Sequence, residues 1–400
     1  MYKPFVSSLL ADITSKVLVP LAEKAEADGF PYYTQGLDLI SWLNGTSPRP
    51  TVDYLASIPL SLPLIGVAQL AQYLVSCRVT DVNPGEMRSL FNGATGHSQG
   101  VVSAVAVAAS DSWDSLNSNI LKAVKLLFYI GLRGQEAFPV LSVEPSIVAD
   151  CVENNEGVPT PMLAVNGLSL KALETYINKT NSHLPSNSKV GVSLYNASTM
   201  HVVTGPPKAL YGLATALRKI MAPAGLDQSK TPFSKRKAVF NMRFLPVNVP
   251  YHSPYLAGAT QKLVEQDLNG EEVFTASQPS MAIYHTETGT LSVVAFQTET
   301  VLISRRGSPT ALDVTDCLAL RPNLHVAHPL GHDVQLPQDC HARRRLWSGW
   351  KQRYRVPYRT SPRGTRCPHR RRRREGQSCR RVLRCEDGQE RVCLGHRVPA

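Results

Sequence analysis

The chain has 400 residues, 43 Lys+Arg against 31 Asp+Glu and a formal net charge of +12, a balance that, taken whole, suggests an anionic partner. The excess is local. Residues 303–400 hold 22 Lys+Arg and 8 Asp+Glu, so residues 1–302 carry 21 and 23, a balance of −2, and this near-neutral body gives no electrostatic case for binding nucleic acid. It is long enough for one large domain or two smaller ones. Only Cys77 and Cys151 precede residue 302, so no disulfide framework is expected there. Asp12 and Lys16 interrupt the apolar N-terminal stretch, which excludes a secretory h-region. The most apolar run, residues 58–75, is punctuated by Ser61, Gln69 and Gln72, and no membrane span is expected. The body is expected to be soluble and cytoplasmic.

In chain order, residues 5–25 and 37–43 have helical spacing and 63–76 reads as a mostly buried helix. Residues 93–109 carry a Gly-rich turn into an apolar helix over 101–109, and 121–137 is a further long helix. Near Pro159 the rhythm changes. Strands are predicted at 161–165, 190–195 and 201–204, with helices at 168–181 and from Pro207 to about residue 220, where proline in the first turn sacrifices no hydrogen bond. This β-α-β-β-α order predicts a ferredoxin-like sheet inserted into a larger α/β domain. The apolar pattern returns at 244–249 and 281–284.

Gly96-His97-Ser98-Gln99-Gly100 fits G-x-S-x-G. The pentapeptide recurs by chance, but an apolar helix follows it at once, as a nucleophile elbow requires. There the helix N-terminus directs N–H groups at a developing oxyanion. The alternative is a structural glycine turn into a buried helix. A serine nucleophile needs a base. Of His97, His183, His201, His252 and His285, His252 is the best placed, in the Pro-bounded loop Val249-Pro250-Tyr251-His252-Ser253-Pro254 after an apolar strand at 244–249. His97, fixed beside the serine, is expected on the packing or oxyanion side. His201, at a strand start, is expected to be exposed or satisfied.

Gly93 to Gly100, residues 126–139, Asn155-Glu156-Gly157-Val158-Pro159, Gly225-Leu226-Asp227-Gln228-Ser229 and residues 249–253 resemble the acetyltransferase domain of the fungal fatty-acid synthase β subunit. The resemblance runs from about residue 5 to Gly289. It implies an acyltransferase fold, with an α/β-hydrolase-like large subdomain over 1–158 and 223–290 and a ferredoxin-like small subdomain over 159–222. It also implies ping-pong acyl transfer: Ser98, deprotonated by His252, takes an acyl group from acyl-CoA and passes it to the phosphopantetheine thiol of an acyl carrier protein. Gln99 and His97 are implied at the oxyanion and substrate pocket. His252 is implied to be oriented by a main-chain carbonyl. The partners implied are acyl-CoA, the carrier protein and the synthase α subunit, with no cofactor or metal bound directly. In the related malonyl transferases a buried Arg pairs with the malonyl carboxylate. The Gly131 and Glu136-Ala137 pattern places Ile130 at that point, which implies a neutral, acetyl-type starter, because an unpaired carboxylate in a desolvated pocket is costly. Arg133, one turn on, is expected in a structural ion pair.

Two departures from the family accompany this. Its upstream Phe-Gly-Gly-Gln-Gly turn, which supplies half the oxyanion hole, has no counterpart in this sequence. Its downstream Asp-Phe-Gly-Pro-Gly-Gly segment is also absent. Back-translated with chosen synonymous codons, residues 333–355 give that segment one nucleotide forward; the TGG codons of Trp347 and Trp350 force a glycine in the new frame at each. The expectation is a frame lost between about residues 290 and 333, with 291–400 an off-frame, disordered basic tail. On that reading Arg370 to Arg374 are no nucleic-acid patch. Cys367, His369, Cys379, Cys385, Cys393 and His396 match no established zinc spacing. Three alternatives stay open: a thioesterase-like hydrolase using the same elbow, an inactive relic, and a basic-tail binding protein.

Overall fold

A computed structural model describes residues 3–223, 225–275 and 278–286. The expected tail from residue 291, its frame and its Cys/His set lie outside the described residues.

The chain opens with α1 (Lys3–Ile13) and α2 (Val19–Ala27), joined through a π turn at Thr14–Leu18. Helical spacing predicted one helix over 5–25. Pro20 has no N–H for the carbonyl four residues back, and the turn before it widens rather than breaking. Next come α3 (Leu39–Asn44), α4 (Val52–Ala56), α5 (Ile58–Thr80) and α6 (Pro84–Ser89). β1 (Ala94–Thr95) then turns into α7 (Gly100–Ala108). The long α8 (Trp113–Ala137) starts from a Ser112 cap that accepts the Ser115 N–H. α5 and α8 pack together along their length. Gly131 permits the approach, since a Cβ there would stand 2.9 Å from the Ile58 carbonyl oxygen. Leu70, Leu116, Ile120 and Phe128 are fully buried in the resulting core, each contributing about 1.5–3 kcal/mol. Tyr33 stacks on Phe128 with centroids 5.1 Å apart.

The expectation that no segment is long and apolar enough to span a membrane is corrected. By length and composition, Lys3–Ala27 and Ile58–Thr80 both are. A few scattered polar residues lower the hydropathy of such a stretch without cancelling that of its Leu, Val, Ile and Ala. Here both helices give apolar faces to one core.

After α9 (Pro145–Glu153) the chain builds β2 (Met162–Asn166), α10 (Leu170–Asn181), β3 (Gly191–Ala197), β4 (Met200–Thr204), α11 (Pro207–Arg218) and β5 (Asn241–Phe244). The sheet is antiparallel in the order β3-β4-β2-β5, the ferredoxin-like arrangement. Leu163, Val165, Val203 and Phe244 close its core against Leu173 of α10 and Leu213 of α11. The fourth strand comes from beyond residue 222, the expected end of the insert. The strand expected at 244–249 sits earlier, at Asn241–Phe244, because Pro246 and Pro250 bring no N–H to a ladder. Arg218 clamps the edge of this unit, pairing with Glu156 and Asp150 at 2.6 Å each.

α12 (Ala259–Lys262), a π turn at Leu263–Asp267 and β6 (Ile283–Tyr284) return to the first core. β6 pairs with β1 in parallel, Ala94 opposite Ile283 and Thr95 opposite Tyr284. Among the described residues these two short strands represent the sheet of the large α/β part.

Candidate active site

Everything at the site hangs on the turn between β1 and α7. The Ala94 N–H donates to the Ala282 carbonyl at 2.8 Å and the Thr95 hydroxyl to the Tyr284 carbonyl at 3.0 Å, which fixes where the turn begins. A Cβ on Gly96 would lie 2.1–2.3 Å from the backbone of Gly100 and Val101, so only glycine fits. Ser98 then adopts φ +53°, the strained left-handed conformation of a nucleophile elbow. The helix begins at once, with the Gly100 N–H on the His97 carbonyl and the Val101 N–H on the Ser98 carbonyl. At Gly100, on the other flank, a Cβ would meet nothing within 4 Å.

The second half of the site is the 245–256 loop. Its Tyr251 and His252 lie within a turn closed by the Ser253 hydroxyl donating to the Pro250 carbonyl. His252 is buried, at φ +61°. Its Nε2 lies 3.0 Å from the Ser98 Oγ, within reach for proton transfer. The Tyr251 hydroxyl, its ionisation pushed far up by burial, reaches the Ile130 carbonyl at 3.5 Å. Ile130, half-buried on α8, therefore borders the loop that carries His252.

The His97 side chain, expected on the packing or oxyanion side, reaches the small sheet instead. It is exposed, and its Nε2 makes a 3.1 Å hydrogen bond with Asn196 Oδ1 on β3. The elbow is thus tied to the small sheet. Asn196 escaped the sequence reading, and nothing in Tyr195-Asn196-Ala197 marks it. Gln99 is half-buried, with a buried Oε1 that has no hydrogen-bond partner among the described residues. Its backbone N–H likewise finds no acceptor among them. Arg133 is held in the ion pairs expected of it. Its guanidinium takes both Asp267 oxygens at 2.7 and 2.8 Å and Glu136 at 2.9 Å. Burial alone raises the Glu136 carboxyl, but hydrogen bonds from Lys262 and Arg133 hold it below its ordinary value.

His201 is corrected: it is neither exposed nor satisfied. It is 2% exposed, with both ring nitrogens unpartnered among the described residues, because β4 is an inner strand flanked by β3 and β2. It meets only the Tyr195 ring among aromatic neighbours, edge-on at 6.1 Å. Among the described residues no group of three His, Cys, Asp or Glu is arranged to hold a metal ion.

A family model described as the starter unit:ACP transacylase in aflatoxin biosynthesis matches residues 2–238, which include Ser98. The chain is 50% identical over 263 residues to the fatty acid synthase subunit beta of Saccharomyces cerevisiae, covering 66% of this chain and 13% of that protein. To the fatty acid synthase subunit beta of Schizosaccharomyces pombe it is 44% identical over 287 residues, covering 72% and 13%. Among solved structures it is similar to the malonyl CoA-acyl carrier protein transacylase of Coxiella burnetii, at 18% identity and a TM-score of 0.40, covering 69% of this chain and 67% of that one. The chain thus spans about an eighth of the length of the two curated relatives. With the serine elbow inside the matched segment and synthase β subunits as its relatives, the chain belongs to the starter unit:ACP transacylase family, as an acyltransferase region of the fungal fatty-acid synthase β-subunit type.

Proposed function

We propose that this chain moves a neutral, acetyl-type starter group from coenzyme A to the phosphopantetheine thiol of an acyl carrier protein, through an ester on Ser98. The observation that carries the reading is the 3.0 Å contact between Ser98 Oγ and His252 Nε2 across the elbow. His252 Nε2 takes the Ser98 proton as Oγ attacks the thioester carbonyl. The carbonyl oxygen becomes an oxyanion facing the N-terminus of α7, where the Gln99 N–H, which has no acceptor among the described residues, can donate to it. Collapse breaks the C–S bond, and the coenzyme A thiolate leaves with the proton from His252. The carrier's thiol then gives its proton to His252 and attacks the Ser98 ester, and Ser98 leaves with that proton. No bound cofactor or metal enters either half.

Ile130 is uncharged, its backbone carbonyl lies beside the Tyr251 hydroxyl, and Arg133 is engaged with Asp267 and Glu136, all of which support a neutral starter. No guanidinium in that stretch of α8 is free to pair with a malonyl carboxylate. The carrier protein and a synthase α subunit are the proposed partners, in the cytoplasm.

The test is single-turnover labelling with radiolabelled acetyl-CoA and malonyl-CoA. Acetyl label should appear on the wild-type chain, be absent in Ser98→Ala, and pass to added holo-carrier faster than to water. Label retained in Ser98→Ala excludes Ser98, and release to water alone makes the chain a hydrolase.

A further inference from the structure

The connection between α11 and β5 is a basic surface loop that the acyl-transfer chemistry does not use. From Gln228 to Arg243 it carries Lys230, Lys235, Arg236, Lys237 and Arg243 and no acidic residue. Residues 1–302 balance at −2 with these five cations counted, so this is a local concentration of one sign. None of these five side chains makes an ion pair among the described residues, unlike Arg218 and Lys208 nearby. Phe233 stands at the tip, 88% exposed, with the Arg236 guanidinium 5.9 Å from its ring centroid.

The loop is shaped before anything binds. Asp227, the one acid at its mouth, accepts the Ser229 N–H and hydroxyl, which hold its carboxyl below the ordinary value. Gln228 clasps Lys237 through both of its backbone groups, at 3.1 and 2.7 Å. Arg236 donates to the Thr231 and Ser229 carbonyls. The lysines are left pointing outward from a closed frame, so little ordering cost remains for a partner.

Its place relative to the serine is fixed by register. Asn166 pairs with Met200 on one side and with Asn241 on the other, and Met200 faces Ala197. The entrance to β5 and the end of β3 that carries Asn196 therefore share one end of the sheet. Asn196 touches His97, next to Ser98. β3 and β5 are three strand spacings apart, about 14 Å. The loop thus flanks the cleft mouth rather than entering it: too far to touch an acyl group on Ser98, and near enough to hold a domain that reaches in on a flexible arm.

We infer that residues 226–239 are the docking surface for the acyl acceptor, an acidic carrier domain bearing phosphopantetheine, with the lysines meeting carboxylates and Phe233 as the apolar anchor. This rests on the proposed function for the identity of the acceptor. A basic rim with one exposed aromatic is the composition expected of a short-lived, electrostatically steered encounter.

The experiment is titration of purified holo-carrier domain onto the full chain at low salt, compared with a Lys235→Glu/Lys237→Glu double variant and with Phe233→Ala. Thermal unfolding midpoints serve as the check on folding. The expected result is about tenfold or greater weakening by the charge reversal, severalfold weakening by Phe233→Ala, and loss of the difference between wild type and charge reversal as salt is raised past one Debye length of screening. Equal affinity of wild type and folded variants, or no binding by wild type, overturns the inference. So does charge-sensitive binding of a labelled oligonucleotide without any effect on the carrier. Should the charge reversal unfold, Phe233→Ala and the salt series on wild type decide alone. Acetyl labelling of wild-type Ser98 is scored separately: its failure with carrier binding intact removes the acyl-transfer reading, not the docking surface.

Discussion

Ser98 and His252, 154 residues apart in sequence and 3.0 Å apart at Oγ and Nε2, both hold left-handed backbone, at φ +53° and +61°. They are two of only five non-glycine residues that do so among the described residues. Such a conformation costs about 1–3 kcal/mol per residue and persists only where the surroundings impose it. At Ser98 the imposition is the strand-to-helix turn; at His252 it is the Pro250–Pro254 loop. Both partners are therefore presented by backbone geometry that no regular element would supply.

Gly96→Ala should show how tightly that geometry is held. The added Cβ meets the Gly100 and Val101 backbone at 2.1–2.3 Å, and no side chain is there to give way. A loss of about 10² or more in the rate of Ser98 acylation is expected, since displacing a nucleophile by about 1 Å costs that much. Pre-steady-state labelling checks it. Gly100→Ala, which meets open space, should retain a rate near wild type.

Ile130→Arg places a guanidinium beside the His252 loop. The ratio of kcat/KM for malonyl-CoA over acetyl-CoA should rise by at least tenfold, mostly through loss on acetyl-CoA, because a buried cation left unpaired is costly. Competition between the two thioesters for the same enzyme measures it. An unchanged ratio would remove Ile130 from the acyl pocket.

Arg133→Met leaves Asp267, whose side chain is 8% exposed, without its bidentate partner. Destabilisation of about 3–5 kcal/mol is expected from the stranded carboxylate, read from chemical denaturation. The double change Arg133→Met/Asp267→Leu should recover much of it.

Glu136 sets an acid limit on the same network. Its carboxyl is held below the ordinary value of 4.5, so its contribution to stability is complete above that value and is lost as pH falls through the lower folded one. Unfolding midpoints should therefore be flat from neutral pH down to about 5 and drop below it. Glu136→Gln should flatten part of the drop.

The coding frame is open to direct measurement. Sequencing the transcript across the codons for residues 290–333 should reveal one nucleotide gained or lost, or an unspliced intron, that restores Asp-Phe-Gly-Pro-Gly-Gly. An uninterrupted frame identical to the present one would end that reading.

The elements legible in the sequence were those whose signal is local. Gly96 and the apolar run after it announced the elbow, Pro207 announced α11, and the β-α-β-β-α rhythm announced the small sheet. What escaped depends on residues far apart. β5 was misplaced because Leu245, Val247 and Val249 outweigh the alternating Asn241-Met242-Arg243-Phe244, whose buried members face the helices only once β2 lies alongside. His201 was misjudged because a strand's first residue is exposed only if the strand lies at an edge. Asn196 and Asp267 have partners 99 and 134 residues away, and no spacing rule reaches that far. Ser98 could be picked out from its own neighbours; His252 needed elimination among five histidines.

The pairing of β1 with β6 also sets an order of events during synthesis. The strand that enters the elbow waits for a partner almost 190 residues downstream, and His252 is made before that partner is. Contacts of such long sequence separation close late. A ribosome-bound chain ending short of Tyr284 has its serine, its histidine and its small sheet, yet the turn that aims the hydroxyl is still unanchored. Until residue 284 has been made, the elbow lacks that anchor, and the position of its serine depends on a contact of long sequence separation.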